Sequence, residues 1–203
     1  MSQRKESIAR STKETDIFIE LDLDSRGSIS VETGVPFFDH LLHSMAFHGG
    51  FSLLVKGRGD LDVDPHHVVE DTGIVLGQVL DKVVEAHGSV DRFGQSKIPM
   101  DDALSEAVID VGGRPYLVFE PDFPQPHVGA FDVSLIREFL LGLATKAKIN
   151  IHARIFYGKN SHHMAESLFK VLGKAIKAAY SQNESHGSDI SGNEERSTKG
   201  TIK

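Results

Sequence analysis

The sequence predicts an α+β fold made of two similar halves, and three observations predict it. First, the pattern His-His-x-x-Glu occurs twice, as His66-His67-Val68-Val69-Glu70 and as His162-His163-Met164-Ala165-Glu166. Each copy opens a stretch whose apolar residues have helical spacing. Second, each copy follows the same order of elements: two strands, a helix and a further strand. Third, His40 stands 26 residues before its doublet and Glu138 stands 24 before its own, each within a helical pattern and between apolar neighbours. An internal duplication accounts for all three.

The first half opens with Thr15 to Leu23, where Ile17, Ile19, Leu21 and Leu23 share one face with the period of a half-buried strand. Asp24 to Gly27 is a turn, and Ser28 to Val31 begins a second strand. Pro36 occupies a first helical position and Gly49-Gly50 supplies the stop, with Phe37, Leu41, Leu42 and Met45 at helical spacing between them. Phe51 to Lys56 and Leu61 to Val63 read as a strand pair. From the first doublet to Ala86, the residues Val69, Val75, Leu76, Val79, Leu80 and Val83 form one helical face, closed by Gly88. The second half repeats this: strands at Ala103 to Asp110 and Pro115 to Glu120 around Gly112-Gly113, a helix from Ser134 to Lys148, a strand from Ile149 to Tyr157, and a helix from the second doublet to about Tyr180. The expected division is 1–92, 93–181 and a polar Ser-, Gly- and Glu-rich tail, 182–203.

Composition narrows the function classes. A chain of 203 residues, 39% apolar and 25% charged, can bury a core. A net charge of −7 argues against a general nucleic-acid binder, whose affinity rests on neutralising phosphates. No apolar run approaches the roughly 20 residues of a membrane span, and the N-terminal residues lack the apolar segment of a signal peptide, so a cytoplasmic location is expected. With no cysteine, any transition metal must be held by histidine and carboxylate. Eleven histidines beside three tyrosines and no tryptophan point toward metal or proton chemistry.

The doublets carry that chemistry. On a helix the Glu lies four residues from the first His and three from the second, hence on a shared face. The two adjacent histidines point about 100° apart, so they serve different ions more readily than one. Two such helices meeting about a pseudo-twofold axis assemble eight candidate ligands: His40, His66, His67, Glu70, Glu138, His162, His163 and Glu166. Mixed imidazole and carboxylate suits manganese, iron or zinc. Lys170 is four residues beyond Glu166, on the same face. Arg92 and Arg114 sit at turns, where a guanidinium can clamp a phosphate. His48 closes a helix beside Gly49-Gly50. His43, His87, His127 and His186 read as surface histidines, and His152 as a structural one. On these residues alone a dinuclear hydrolase and a metal store remain alternatives to any other metalloenzyme.

A wider set of segments resembles one family. They are Arg10-Ser11-Thr12-Lys13-Glu14-Thr15, Thr33-Gly34-Val35-Pro36-Phe37-Phe38-Asp39-His40, Gly59-Asp60 through the first doublet, Arg92-Phe93-Gly94, Pro99-Met100-Asp101-Asp102-Ala103, Gly113-Arg114-Pro115-Tyr116, the second doublet into Phe169-Lys170, and Ser197-Thr198-Lys199-Gly200. In order and over nearly the whole chain, they resemble the imidazoleglycerol-phosphate dehydratases. The resemblance implies helices packed together between two four-stranded sheets. It implies a lyase of histidine biosynthesis that removes water from imidazoleglycerol phosphate, and a shell of 24 subunits built from trimers with active sites between subunits.

It also implies two Mn(2+) per active site, one held by His40, His67, Glu70 and His163, the other by His66, Glu138, His162 and Glu166. Glu14 becomes an acid/base group, with Glu70 and Glu166 the other carboxylates at the reacting centre. Substrate binding falls to Glu14, His40, His48, His66, His67, Glu70, Arg92, Arg114, His162, Lys170, Ser197 and Lys199, the tail ordering over the substrate. Three positions depart from the pattern: Glu138 where some members carry His, Ser44 where several carry Gln, and Ser167 after the second motif where Asp71 follows the first.

Overall fold

A computed structural model of the chain describes residues 3–88 and 90–182. The first half comprises β1 (Lys5–Ser11), β2 (Thr15–Asp22), β3 (Ile29–Glu32), α1 (Pro36–Gly49), β4 (Ser52–Gly59) and α2 (His66–His87). The second comprises β5 (Phe93–Met100), β6 (Ala103–Asp110), β7 (Tyr116–Val118), a small ribbon of β8 (His127–Val128) and β9 (Phe131–Asp132), then α3 (Leu135–Ala147), β10 (Asn150–Tyr157) and α4 (Ser161–Ala179). The two sheets have matching orders, β1-β2-β4-β3 and β5-β6-β10-β7. In both, the first two pairings are antiparallel and the last is parallel. The expected duplication is therefore present strand by strand.

Local chemistry explains most boundaries. α1 begins at Pro36, whose fixed φ suits a first helical turn, and ends where Gly50 takes a left-handed conformation, φ 70°. Asn160 caps α4 by accepting from the His162 N–H at 2.9 Å. β2 alternates so strictly that Ile17, Ile19 and Leu21 are all buried. Three expectations change. β1 and β5 are strands that apolar alternation does not announce, because as edge strands they bury little; β5 even contains Pro99. Leu61 to Val63 is a turn rather than a strand, and Val63 is 72% exposed. The β8–β9 ribbon has no counterpart in the first half.

All four helices lie between the sheets. α1 and α2 cover the first sheet, α3 and α4 the second. Phe38 of α1, Phe139 of α3 and Phe169 of α4 are fully buried and meet ring to ring, at 5.3 Å edge-on and 5.5 Å stacked. The halves interlock by pairing helices across the duplication: α1 lies parallel to α4, and α2 to α3. Glycines set these distances. A Cβ on Gly173 would stand 2.0 Å from the Met45 carbonyl oxygen, and one on Gly73 2.2 Å from that of Phe139. The first and last parts of the described residues are also tied, since buried Arg4 donates to the Tyr180 carbonyl and pairs with Asp24. No helix among the described residues is long and apolar enough to cross a membrane.

Gly173→Ala must force α1 and α4 apart. A loss of about 1–3 kcal/mol is expected, the usual cost of overfilling a core, read as a lower urea midpoint. An unchanged midpoint would mean that the two backbones do not approach so closely.

Candidate metal centre

Because α1 and α4 run parallel, their N-terminal turns converge. His40, His162 and Glu166 each offer a ligand atom, and these atoms all lie within 4.8 Å of one another. Glu166 Oε2 is 3.4 Å from His162 Nε2, one turn earlier on the same helix, and 3.5 Å from His40 Nε2 across the helix pair. The Phe37 ring walls the group, 4.9 Å from the His162 ring and 6.2 Å from that of His40. Lys170 Nζ holds the other carboxylate oxygen at 2.9 Å. Burial pushes the Glu166 carboxyl up, but Lys170 and His40 outweigh it and hold it below its ordinary range. Three donors each about 2.1 Å from one ion lie at most about 4.2 Å apart. The group thus fits such an ion after sub-ångström closure, and its two imidazoles and one carboxylate fit manganese, iron or zinc.

The expected divergence of adjacent histidines is also present. The His66 and His67 rings stand at 85° to one another, those of His162 and His163 at 81°. In each doublet the first His faces its Glu; His66 Nε2 lies 3.6 Å from Glu70 Oε2. The second His faces away and is gripped elsewhere. His67 Nδ1 is 3.0 Å from Asp60 Oδ2, and His163 Nδ1 is 2.6 Å from Asp102 Oδ1. These hydrogen bonds hold both imidazoles above their usual range. The same bond from His163, with the Lys159 N–H, pulls the Asp102 carboxyl down to about 2. Glu14, exposed in the β1–β2 turn, comes within 3.9 Å of His67 Nε2.

Within one chain the eight ligands are not all assembled. His40 lies with His162 and Glu166, which belong to the other ligand set of the two implied by the resemblance. Among the described residues, His66, Glu70 and Glu138 form no comparable three-atom group, and Glu138 instead has Arg137 Nη1 at 3.6 Å. Arg92 is farther still. It sits beside the C-terminal end of α4, its N–H bonded to the Ala179 carbonyl and its side chain paired with Asp110. At 1.5 Å per helical residue, about 25 Å separates it from the doublet along that helix. Arg114 is exposed in the turn before β7, and its carbonyl accepts from Asn150. Ser197 and Lys199 lie outside the described residues.

Several residues were not singled out by sequence. Asp60 and Asp102 lie in segments that carry the resemblance but follow no periodicity that would mark them as histidine partners. Lys174 is one turn beyond Lys170. His48 is half-buried where α1 meets α4, and burial, then the charges of Lys170 and Lys174, pull its pKa below the ordinary value. Along the α1–α4 contact the candidate ligand cluster thus gives way, one turn on, to Lys170 and then to Lys174 and His48. Ser44, one turn from both His40 and His48, has a buried hydroxyl without a hydrogen-bond partner among the described residues. His87, expected at the surface, is largely enclosed and bonded to Glu6 at 3.1 Å. Replacing Lys174 by Met removes one positive charge near His48. The His48 titration midpoint, followed by NMR, is expected to rise while staying below that of a free imidazole, because burial persists.

Comparison with known proteins gives the family. The family model for imidazoleglycerol-phosphate dehydratase matches residues 33–176. The imidazoleglycerol-phosphate dehydratase of Methanosarcina mazei is 48% identical over 199 residues, covering 98% of this chain and all of its relative. That of Methanosarcina barkeri is 49% identical over 195 residues, covering 96% and 97%. The crystal structure of the enzyme from Pyrococcus furiosus superposes with a TM-score of 0.81 at 34% identity, covering 96% of this chain and all of that one. The Staphylococcus aureus structure gives 0.78 at 34% identity, covering 88% and 99%. The cluster on α1 and α4 falls within the matched region, and the chain belongs to the imidazoleglycerol-phosphate dehydratase family.

Proposed function

We propose that the chain is a metal-dependent carbon–oxygen hydro-lyase of histidine biosynthesis, converting imidazoleglycerol phosphate to imidazole-acetol phosphate and water. The observation that carries this reading is the convergence of His40, His162 and Glu166 in a chain of this family. Two manganese ions per active site would draw on His40, His66, His67, Glu70, Glu138, His162, His163 and Glu166. Bound there, the ions supply Lewis acidity and a template for the imidazole ring.

The chain's own residues do the rest. The hydroxyl to be lost is on the carbon bonded to imidazole, and the proton to be lost is on the next carbon. Together they leave as water, and the resulting enol becomes the ketone. Glu14 is exposed and lies beside His67, so it can reach a bound substrate and move a proton. Lys170 keeps Glu166 charged and directed at the histidines. Arg92, Arg114, His48, Lys170 and the tail residues Ser197 and Lys199 anchor the phosphate, which fixes the reacting carbons from a distance.

The separation of about 25 Å between Arg92 and the second doublet along α4 supports active sites shared between subunits, within a 24-subunit shell of trimers. In this reading the halves are 1–92 and 93–181, residues 182–203 close over the substrate, and the enzyme works in the cytoplasm. A dinuclear hydrolase would use the same donor types but would release free phosphate.

Glu14→Gln is expected to cut turnover by about 10²–10⁴-fold, the usual contribution of a proton-transferring side chain, with substrate binding retained. Full turnover in that variant would remove the acid/base role. Metal-stripped protein should form no keto phosphate, and activity should return on adding manganese. Manganese affinity should rise as pH is raised through and beyond about 6.5, because His67 and His163, with raised pKa values, must shed protons before ligating.

A further inference from the structure

The second histidine of each doublet is held in a way the first is not. His67 Nδ1 lies 3.0 and 3.2 Å from the two carboxylate oxygens of Asp60, and His163 Nδ1 lies 2.6 Å from Asp102 Oδ1. The carboxylates come from different places: Asp60 follows β4, and Asp102 lies in the β5–β6 turn. The duplication therefore did not copy this contact from one half to the other; two unrelated positions arrive at the same ring nitrogen. The Asp102 carboxylate is itself fixed, and so is the main chain of Asp60. Asp102 accepts from the Lys159 N–H at 2.5 Å and the Asn160 N–H at 3.1 Å, which pins it to the start of α4. Asp60 donates its own N–H to the Glu14 carbonyl at 3.2 Å. In both cases the opposite nitrogen, Nε2, is turned toward a hairpin-turn carboxylate, Glu14 at 3.9 Å or Asp101 at 3.6 Å.

We propose that Asp60 and Asp102 are positioning residues that fix the tautomer of His67 and His163, holding the proton on Nδ1 and presenting the Nε2 lone pair as the metal ligand. A carboxylate accepts but cannot donate, so a neutral ring beside it keeps its single proton on the facing nitrogen. A metal needs the other nitrogen bare, and partners of this kind fix ring orientation and raise ligand basicity. His66 and His162 differ, for the carboxylate they face is the glutamate of their own helix, and it lies beside Nε2. Asp60 has a second consequence. Through its N–H it holds the turn that carries Glu14, so one residue sets both a ligand ring and the backbone of the acid/base group. The proposal rests on the metal reading above.

Two measurements test it. Solid-state NMR of metal-free protein labelled with ring nitrogen-15 histidine reads the tautomer directly. His67→Gln and His163→Gln assign the two signals. Above the histidine midpoints, both rings should show protonated Nδ1 and bare Nε2, and a ring protonated on Nε2 would overturn the assignment. Calorimetric titration of metal-free protein with manganese reads the consequence. Asp60→Leu and Asp102→Leu should each weaken binding by about 10- to 100-fold, the usual effect of losing such a partner. Asp60→Asn and Asp102→Asn, which keep an acceptor oxygen, should recover much of it. Unchanged affinity in both Leu variants would overturn the proposal. Asp102→Leu also loses the contacts to Lys159 and Asn160, so Asp60→Leu and the wild-type tautomer measurement are decisive if it fails to fold. If wild-type protein bound no manganese, the metal reading itself would fall, and that result appears before any variant is made.

Discussion

The close approach of helices across the duplication is the constraint on which the rest depends. Neither half buries its helices against its own partner alone; α1 needs α4, and α2 needs α3. Backbone-to-backbone contact at Gly173 and Gly73 brings those pairs together at a distance that a methyl group would not allow. That distance, more than any loop, lets a histidine on one half and a histidine and glutamate on the other place three ligand atoms within a span of 4.8 Å. Fully buried rings of Phe38, Phe139 and Phe169 fill the space behind it. The ligand cluster is thus a property of the interface between the halves.

Much of this was legible in the sequence. Pro36, Gly50, Gly88 and the alternation in β2 mark their elements because each acts through local backbone geometry or a period of two. The doublets mark the ligand face because i and i+4 coincide on any helix. What was not legible depends on contacts between distant segments. The edge strands β1 and β5 exist because β2 and β6 offer them hydrogen bonds, which apolar periodicity does not encode. Asp60 and Asp102 find their histidines through tertiary position. The separation of Arg92 from the second doublet also appears only when α4 is seen to run its full length between them. The resemblance implies a substrate contact for Arg92 but carries no information about that distance.

Charge is unevenly distributed along the α1–α4 contact. At one end a glutamate held charged by Lys170 faces two histidines; at the other, His48 lies where burial and two lysines keep it uncharged more readily than a free imidazole. A partly buried carboxylate costs stability unless it is paired, and Lys170 supplies that pairing within the helix. The charge of the same lysine is also felt at His48, so it acts on both regions.

The two hairpin turns show how far the halves have diverged. The β1–β2 turn carries Glu14, and the β5–β6 turn carries Asp101 and Asp102, each just before the second strand of its half. One carboxylate is left exposed beside a histidine; the equivalent one is spent on holding a ring and capping a loop. Two identical subunits related by an exact twofold axis could not make that distinction, since any group placed at one turn would appear at the other. Halves joined in one chain are free of that symmetry, so one turn leaves its carboxylate exposed while its twin binds a ring and a neighbouring loop.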